Sequence, residues 1–140
     1  MRLWHTALIT ALPREQLVDH WRELSAIAGV IQKNGTPNHI LVNFVLDYDY
    51  DHFISYAHYV REEMTKRSYR TMNSVWDKIT SLKNNYTILP LHEVYSNKMD
   101  NTYLEICYYN LYEKYSCGCI SEDFWNKILN NYYAVVMSGT

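Results

Sequence analysis

The sequence predicts an all-α fold, a compact single-domain bundle of about five helices. Apolar residues recur every three or four positions in five separate stretches, which is the spacing of one helix face. The chain has 140 residues, which suits one domain with one hydrophobic core, and no linker or low-complexity tract divides it. A single strand-like run, residues 39–46, has no evident partner strand. We therefore expect residues 1–140 to form one domain.

The first helix is predicted to begin near Pro13, after an apolar lead-in over residues 1–11. Proline is favoured at an opening position, because its missing N–H would have no partner there. Apolar residues at helical spacing predict one buried face, made of Leu17, Trp21, Leu24 and Ala28. Gly29 is the predicted end signal, unless the helix continues a little through Val30 and Ile31.

The segment after the first helix is predicted to be irregular. Residues 34–38 (NGTPN) form a loop by composition. Residues 39–46 (HILVNFVL) are locally typical of a strand. Because no strand is available to pair with them, we interpret this run as a buried connection or a short helical turn.

The second helix is predicted over residues 51–69, with Asp49 or Asp51 as its cap. Apolar and aromatic residues at spacings of three and four predict its inner face, which consists of Phe53, Tyr56, Ala57, Val60 and Met64. Three basic residues, Lys66, Arg67 and Arg70, lie near its end, where cations suit the helix macrodipole.

Three further helices are predicted in the second half of the chain. The third spans residues 74–83 behind a Ser74 cap, the fourth spans residues 102–115, and the fifth spans residues 122–133 behind a Ser121 cap. The inward-facing residues are Val75, Ile79 and Leu82 in the third helix and Leu104, Cys107, Tyr108 and Leu111 in the fourth.

Composition narrows the class of partner and the cellular setting. The net charge is −2, which argues against strong non-specific affinity for DNA but allows a local basic patch. The cysteine count is three, an odd number that does not suggest a disulfide framework and suits a reducing cytoplasm. No signal peptide and no membrane-spanning apolar run is evident. We expect a cytoplasmic protein without a membrane partner.

The start of the chain combines three groups that together suit imine chemistry on a sugar. A free α-amine at Met1 would titrate close to physiological pH, so that a useful fraction is neutral and nucleophilic. At about 100° per residue, Arg22 and Glu23 both point away from the buried face of the first helix. A carboxylate beside the amine could move protons and stabilise a cationic intermediate. The chemistry requires that the amine and this helix meet in space.

The same residues carry a resemblance to a known family. Residues 1–5 (MRLWH) and 22–24 (REL), followed by a second long helix near residues 50–69, resemble the pyrimidine-dimer DNA glycosylase family, which has an endonuclease V-like fold. The chain is most similar to a bacterial branch that opens with the same MRLWH. The resemblance covers residues 1–70 and returns in residues 103–107.

The resemblance implies an all-helical fold and a DNA repair enzyme, a glycosylase with abasic-site lyase activity. In this family the terminal amine attacks C1′ of a damaged nucleotide, the base leaves, a Schiff base forms, and β-elimination cuts the strand. Glu23 matches the catalytic carboxylate, while Arg22 and Arg2 match phosphate contacts. The implied partner is damaged double-stranded DNA with an expelled nucleotide, and no cofactor is implied.

The identity of the nucleophile depends on how the chain terminus is processed. The family exposes its amine on a small residue after methionine removal, whereas Arg2 follows Met1 here. Because methionine is seldom removed before so large a residue, Met1 is the first candidate and Arg2 the second. A retained formyl group on Met1 would abolish the activity.

The predicted DNA-binding surface extends beyond these arginines. His20 is expected to flank the site. Lys66, Arg67 and Arg70 form either a phosphate-binding patch or a solvated helix end. The chain has no basic residue after Lys127, so it lacks the aromatic-basic tail that holds DNA in the phage member of the family.

Two alternatives from other classes remain open. His20 with Glu23, and His58 with Glu62, each place two possible metal ligands on one helix face. A di-metal bundle needs further inward carboxylates that the pattern does not supply, so we predict no metal site. The second alternative is a non-enzymatic module on the same scaffold that binds DNA or a protein, which the net charge and the abundance of tyrosine favour.

Overall fold

The computed structural model describes residues 1–138, which contain five α-helices and no strand. The helices are α1 (Arg14–Asn34), α2 (Asp51–Lys66), α3 (Asn73–Thr80), α4 (Asn101–Ser116) and α5 (Glu122–Ser138). Short 3₁₀ helices span Thr6–Ala11, Asn43–Asp47 and Leu91–Glu93. The predicted fold class and the predicted number of helices are confirmed.

The N-terminal segment is part of the core. The 3₁₀ helix Thr6–Ala11 packs against α5 and α2, while α1 packs against α2 and α3, and α4 packs against α5. Leu3, Trp4 and Leu8 are buried at the centre of this arrangement. Because burying an apolar side chain of this size contributes about 1.5–3 kcal/mol, the first residues are held in place by the bundle.

Helix α1 follows the predicted pattern except at its C-terminal end. It begins directly after Pro13, and all four predicted inner residues are buried. It continues past Gly29 to Asn34 and ends at Gly35, whose φ of 75° is left-handed and whose N–H donates to the Ile31 carbonyl at 2.7 Å. The prediction that Gly29 ends the helix is therefore wrong. A methyl group at Gly29 would lie 2.9 Å from Cε of Lys78, so that glycine instead allows the α3 lysine to pass closely.

The connection after α1 is helical but only partly buried. The run predicted as a buried connection or helical turn contains a turn followed by the 3₁₀ helix Asn43–Asp47. Val42 and Val45 point into the core, whereas Ile40 is 89% exposed and Leu41 is exposed too. The helical alternative is confirmed, and the burial applies to only part of the run.

The ends of α2 differ from prediction at the cap and in length. The carboxylate of Asp49 accepts a hydrogen bond from the Asp51 N–H at 2.9 Å, but the residue at the N-cap is Tyr50, which makes no side-chain capping bond. The predicted inner face of α2 is buried throughout. The helix ends at Lys66 rather than near Tyr69, because Ser68 takes a left-handed conformation with a φ of 62°.

Helices α3 to α5 lie close to their predicted positions. Of the two predicted caps, Ser74 is wrong and Ser121 is confirmed. Helix α3 begins at Asn73 after Met72, which makes no side-chain capping bond, so the predicted Ser74 cap is wrong. Asp100 caps α4 by accepting from the Tyr103 N–H at 2.8 Å. The predicted Ser121 cap accepts from the Phe124 N–H at 3.3 Å, and α5 runs on to Ser138. Within residues 1–138, none of the helices has the length and apolarity needed to cross a membrane.

The two glycines of α1 provide a test of this helix boundary. Gly35→Ala places a Cβ in a left-handed conformation, so we expect the free energy of unfolding to fall by about 1–2 kcal/mol. Gly29→Ala lies inside the helix, where alanine is favoured by about 0.8–1 kcal/mol, and the flexible end of Lys78 can move aside. We therefore expect Gly29→Ala to be neutral or stabilising in urea unfolding. Equal losses in both variants would contradict a helix end at Gly35.

Candidate active site

Two buried tyrosine hydroxyls hold the backbone of the N-terminal segment. Tyr56 of α2 donates to the Trp4 carbonyl at 2.5 Å, and Tyr103 of α4 donates to the Leu3 carbonyl. Burial raises the pKa of both phenols, so both remain protonated donors at neutral pH. These bonds hold the backbone two and three residues after Met1, and Met1 itself lies at the surface and is 51% exposed.

Met1 opens into a cleft of about 300 Å³ beside α1. The cleft is lined by Met1, Arg2 and Trp4 of the N-terminal segment, Gln16, Asp19 and Glu23 of α1, Leu41, and Asn110 and Lys114 of α4. The first residue and Glu23 therefore share one cavity.

The Glu23 carboxyl occupies the boundary between this cleft and the protein interior. Its side chain is 36% exposed. Its pKa is lowered, chiefly by interaction with His20 and also by the positive charge of the N-terminal amine, while partial burial acts in the opposite direction. A carboxylate is thus held ionised beside the first residue, as a proton acceptor must be.

His20 lies behind Glu23 and is 1% exposed. Its Nε2 is 2.8 Å from the Tyr56 hydroxyl, and its Nδ1 is 3.8 Å from Oε2 of Glu23. Burial lowers the pKa of His20, and Glu23 partly opposes this effect. A side chain buried in this way does not reach DNA, so the expectation that His20 contacts DNA does not agree with the fold.

The cleft contains positive groups on two sides. Lys114 is exposed and forms no ion pair within residues 1–138. The guanidinium of Arg2 lies 6.0 Å from the Trp4 ring centroid, and its charge acts on Tyr103, where it opposes the effect of burial on the pKa. Arg2 is therefore partly engaged by the protein, while Lys114 is available to an anionic ligand.

Arg22 lies outside this cleft, on the neighbouring surface of α1. It is exposed and lines a second cleft with Arg14, Glu15, Val18 and Asp19. Its guanidinium is 4.0 Å from the Asp19 carboxylate, and Asp19 also lines the cleft of Met1 and Glu23. Arg22 is therefore adjacent to the candidate site. Because successive residues of a helix point about 100° apart, its side chain and that of Glu23 line different clefts.

The three residues of the predicted basic patch at the end of α2, Lys66, Arg67 and Arg70, have different surroundings in the structure. Arg67 donates to the Leu12 carbonyl at 2.6 Å and to the Thr10 carbonyl at 3.0 Å, and it pairs with Glu63 at 3.4 Å. These contacts use its guanidinium to attach α2 to the 3₁₀ helix Thr6–Ala11. Lys66 lines other clefts, beside His58 or Tyr59, and Arg70 is exposed.

Several residues of the site were not singled out for it from the sequence, among them Tyr56, Tyr103, Asn110 and Lys114. Tyr56 was predicted to be buried, and the periodicity that indicated its burial carried no sign of its hydroxyl's partner. Asn110 and Lys114 lie on α4, far along the chain from residues 1–24. Nothing in the local sequence indicates that this helix forms the opposite wall of the cleft.

The histidine–glutamate pairs considered as metal ligands are present as pairs. His58 Nε2 lies 3.5 Å from Glu62 Oε2, and His20 lies near Glu23 as described above. In the part of the chain that the structure describes, no three His, Cys, Asp or Glu side chains group as a possible metal site.

Comparison with known proteins identifies a family for the N-terminal half of the chain. Residues 1–77 match the family described as pyrimidine dimer DNA glycosylase, and these residues supply the N-terminal segment and α1. A search of curated proteins found no match, and neither did a search of solved structures. Because the family match covers more than half of the 140 residues, the chain belongs to the pyrimidine dimer DNA glycosylase family.

Proposed function

We propose that this protein is a DNA repair glycosylase with abasic-site lyase activity, in which the α-amine of Met1 is the nucleophile when Met1 is the mature N-terminus. The observation that carries this proposal is that Met1 and Glu23 line the same cleft. The charge of the amine contributes to the lowered pKa of the Glu23 carboxyl. A nucleophilic amine and an ionised carboxylate in one cavity suit imine chemistry on a sugar.

The proposed reaction begins with the neutral amine attacking C1′ of the damaged nucleotide. A nitrogen–carbon bond forms, and the glycosidic bond breaks with its electron pair leaving on the base. The amine nitrogen loses a proton, the C1′–O4′ bond breaks with its electron pair on O4′, and O4′ takes up a proton, which gives a ring-opened iminium ion. Removal of a C2′ proton then expels the 3′ phosphate by β-elimination. We assign to Glu23 the transfer of these protons and the stabilisation of the cation.

The cationic groups around the cleft suit the DNA backbone. Lys114 and Arg2 line the cavity itself, and Arg22 lies across Asp19 on the adjacent surface. Phosphate contacts fix the register of a nucleic acid on a protein without reading its sequence. We propose that Arg2 and Lys114 hold the phosphates next to the attacked sugar, and that Arg22 holds one farther along the strand.

Trapping with borohydride tests the nucleophile. An abasic duplex incubated with the protein and borohydride should give a covalent adduct, because borohydride reduces the imine to a stable secondary amine. The measurement is a mass shift on denaturing gels and by mass spectrometry, with the adduct assigned by peptide mapping and the mature terminus determined on the same sample.

A matched control adds two residues before Met1. This extension leaves all 140 side chains in place but moves the terminal amine, so the adduct on Met1 should disappear. An adduct that persists on a lysine would contradict a role for the terminal amine. DNA binding with no adduct in either protein would instead support the non-enzymatic module.

Glu23→Gln tests the acid–base group. We expect single-turnover strand cleavage to fall about hundredfold or more, because general acid–base catalysis commonly contributes about 10²–10⁴, while the Kd for abasic duplex stays close to that of the wild type. Glu15→Gln is the matched control, since Glu15 is on α1 but lines the neighbouring cleft. Unchanged cleavage in Glu23→Gln would remove this residue from the mechanism.

Lys114→Ala tests the phosphate contact from α4. Removing one phosphate contact should weaken binding and reduce the slope of log Kobs against log salt by about 0.9. Lys33→Ala, at the far end of α1, should change neither quantity. The readout is fluorescence anisotropy over a range of salt concentrations, and an unaltered slope for Lys114→Ala would place the phosphate elsewhere.

A further inference from the structure

We propose that His20 is a positioning residue whose Nδ1 shares the proton that Glu23 takes up, so that the two side chains act as one acid–base unit. This role rests on the proposed function of Glu23. The structure supplies the arrangement: a fully enclosed imidazole is held on one side by Tyr56 and faces the carboxylate on the other.

The hydrogen bonds determine which nitrogen of His20 carries the proton. The Tyr56 hydroxyl has one hydrogen, and it is donated to the Trp4 carbonyl at 2.5 Å. The contact of 2.8 Å between Nε2 and the hydroxyl oxygen therefore needs a hydrogen on Nε2. The neutral imidazole has only one N–H, so Nδ1 carries a lone pair.

This lone pair has no hydrogen-bond partner among the described residues. The nearest polar group that the contacts identify is Oε2 of Glu23 at 3.8 Å. An ionised carboxylate offers no hydrogen, so Nδ1 and Glu23 face each other as two acceptors at rest. A buried acceptor without a hydrogen-bond partner is unfavourable, and a proton placed between Nδ1 and Oε2 would give both groups a partner.

The other charged and titratable groups around the pair come from several elements. The N-terminal segment contributes the amine of Met1, and the segment after α1 contributes His39; both charges act on Glu23. Helix α2 contributes Tyr56, on which Tyr95, Tyr103 and Cys107 act in turn. The Met1 and His39 charges favour the ionised carboxylate, as does the interaction with His20. The Nδ1 lone pair is therefore the second position at which the pair can hold a proton.

In the reaction the shared proton comes from the substrate or from the amine. Glu23 accepts it on Oε2, and it is held between Oε2 and Nδ1, either on oxygen as a donor to nitrogen or on nitrogen as a donor to oxygen. No other bond changes, and the pair goes from a charge of −1 to neutral. Return of the proton to a leaving group restores the starting state. Two coupled groups of this kind titrate together rather than singly.

Nuclear magnetic resonance tests the pair without reference to activity. The ¹⁵N shifts of the His20 ring should show the Nε2–H tautomer at neutral pH. On acidification the Nδ1 shift and the ¹³C shift of the Glu23 carboxyl should change in one common step, and Glu23→Gln should move the His20 step. A Nδ1–H tautomer, or separate titrations of the two side chains, would overturn the assignment.

The pH dependence of cleavage tests the consequence for catalysis. His20→Gln keeps an N–H for Tyr56 but replaces the basic Nδ1 by an amide oxygen, which takes up no proton at ordinary pH. Because only the carboxyl can then hold the proton that the pair shared, the acid limb of the single-turnover profile should move to lower pH. The plateau rate should fall about tenfold, as expected for a weaker base, with Kd for DNA unchanged.

His58→Gln is the matched control, since His58 also pairs with a glutamate, Glu62, at 3.5 Å but on α2. It should leave the profile unchanged. An acid limb that stays in place in a folded His20→Gln protein, while Glu23→Gln abolishes cleavage, would overturn the role of His20 and leave the proposed function intact. Absence of any wild-type adduct would overturn the proposed function alone. The magnetic resonance titration would still show whether His20 and Glu23 share a proton, because it does not depend on activity.

Discussion

The candidate site depends on the two tyrosine hydroxyls that bond the carbonyls of Leu3 and Trp4. A chain terminus normally loses little by moving, because few contacts hold it. Here two buried phenols from α2 and α4 bond the carbonyls of consecutive residues, Leu3 and Trp4. The side chains of these two residues are themselves buried in the core. The first residue is therefore attached to the bundle through the peptide groups of Leu3 and Trp4.

The proposed DNA-binding surface lies on a chain whose net charge is slightly negative. The net charge of −2 argues against a broadly basic protein, and the fold gathers specific cations at one place. Lys114 comes from α4, Arg2 from the N-terminal segment, and Arg22 from the exposed side of α1. Asp19 and Glu23 lie among them, so the field in the cleft is mixed. Such a surface favours a ligand with both anionic phosphates and a developing positive charge.

One face of helix α1 packs in the core, and another face lines the candidate site. Its apolar face anchors it to α2 and α3, while Glu23 faces the cleft and Arg22 the adjoining surface. His20 is the exception, a polar residue that turns inward. The Tyr56 hydroxyl is a hydrogen-bond partner of its Nε2. Its Nδ1, which faces Glu23, is buried without a hydrogen-bond partner among the described residues. A buried polar group that is only half satisfied is commonly found where chemistry is carried out.

The sequence by itself determined the fold class and the approximate positions of the five helices, and through the family resemblance it led to the expectation that Met1 and Glu23 share a site. These follow from the spacing of apolar residues and from the motifs in residues 1–24, which are local features. It misplaced the end of α1, because the role of a glycine depends on its φ angle and on its neighbours. Only the tertiary structure showed that Tyr56 and Tyr103 hold the N-terminal segment, that Arg67 is bonded to backbone carbonyls, and that Asn110 and Lys114 complete the cleft. Those contacts join residues far apart in the chain, and helical periodicity indicates which side of a helix is buried without indicating what it packs against.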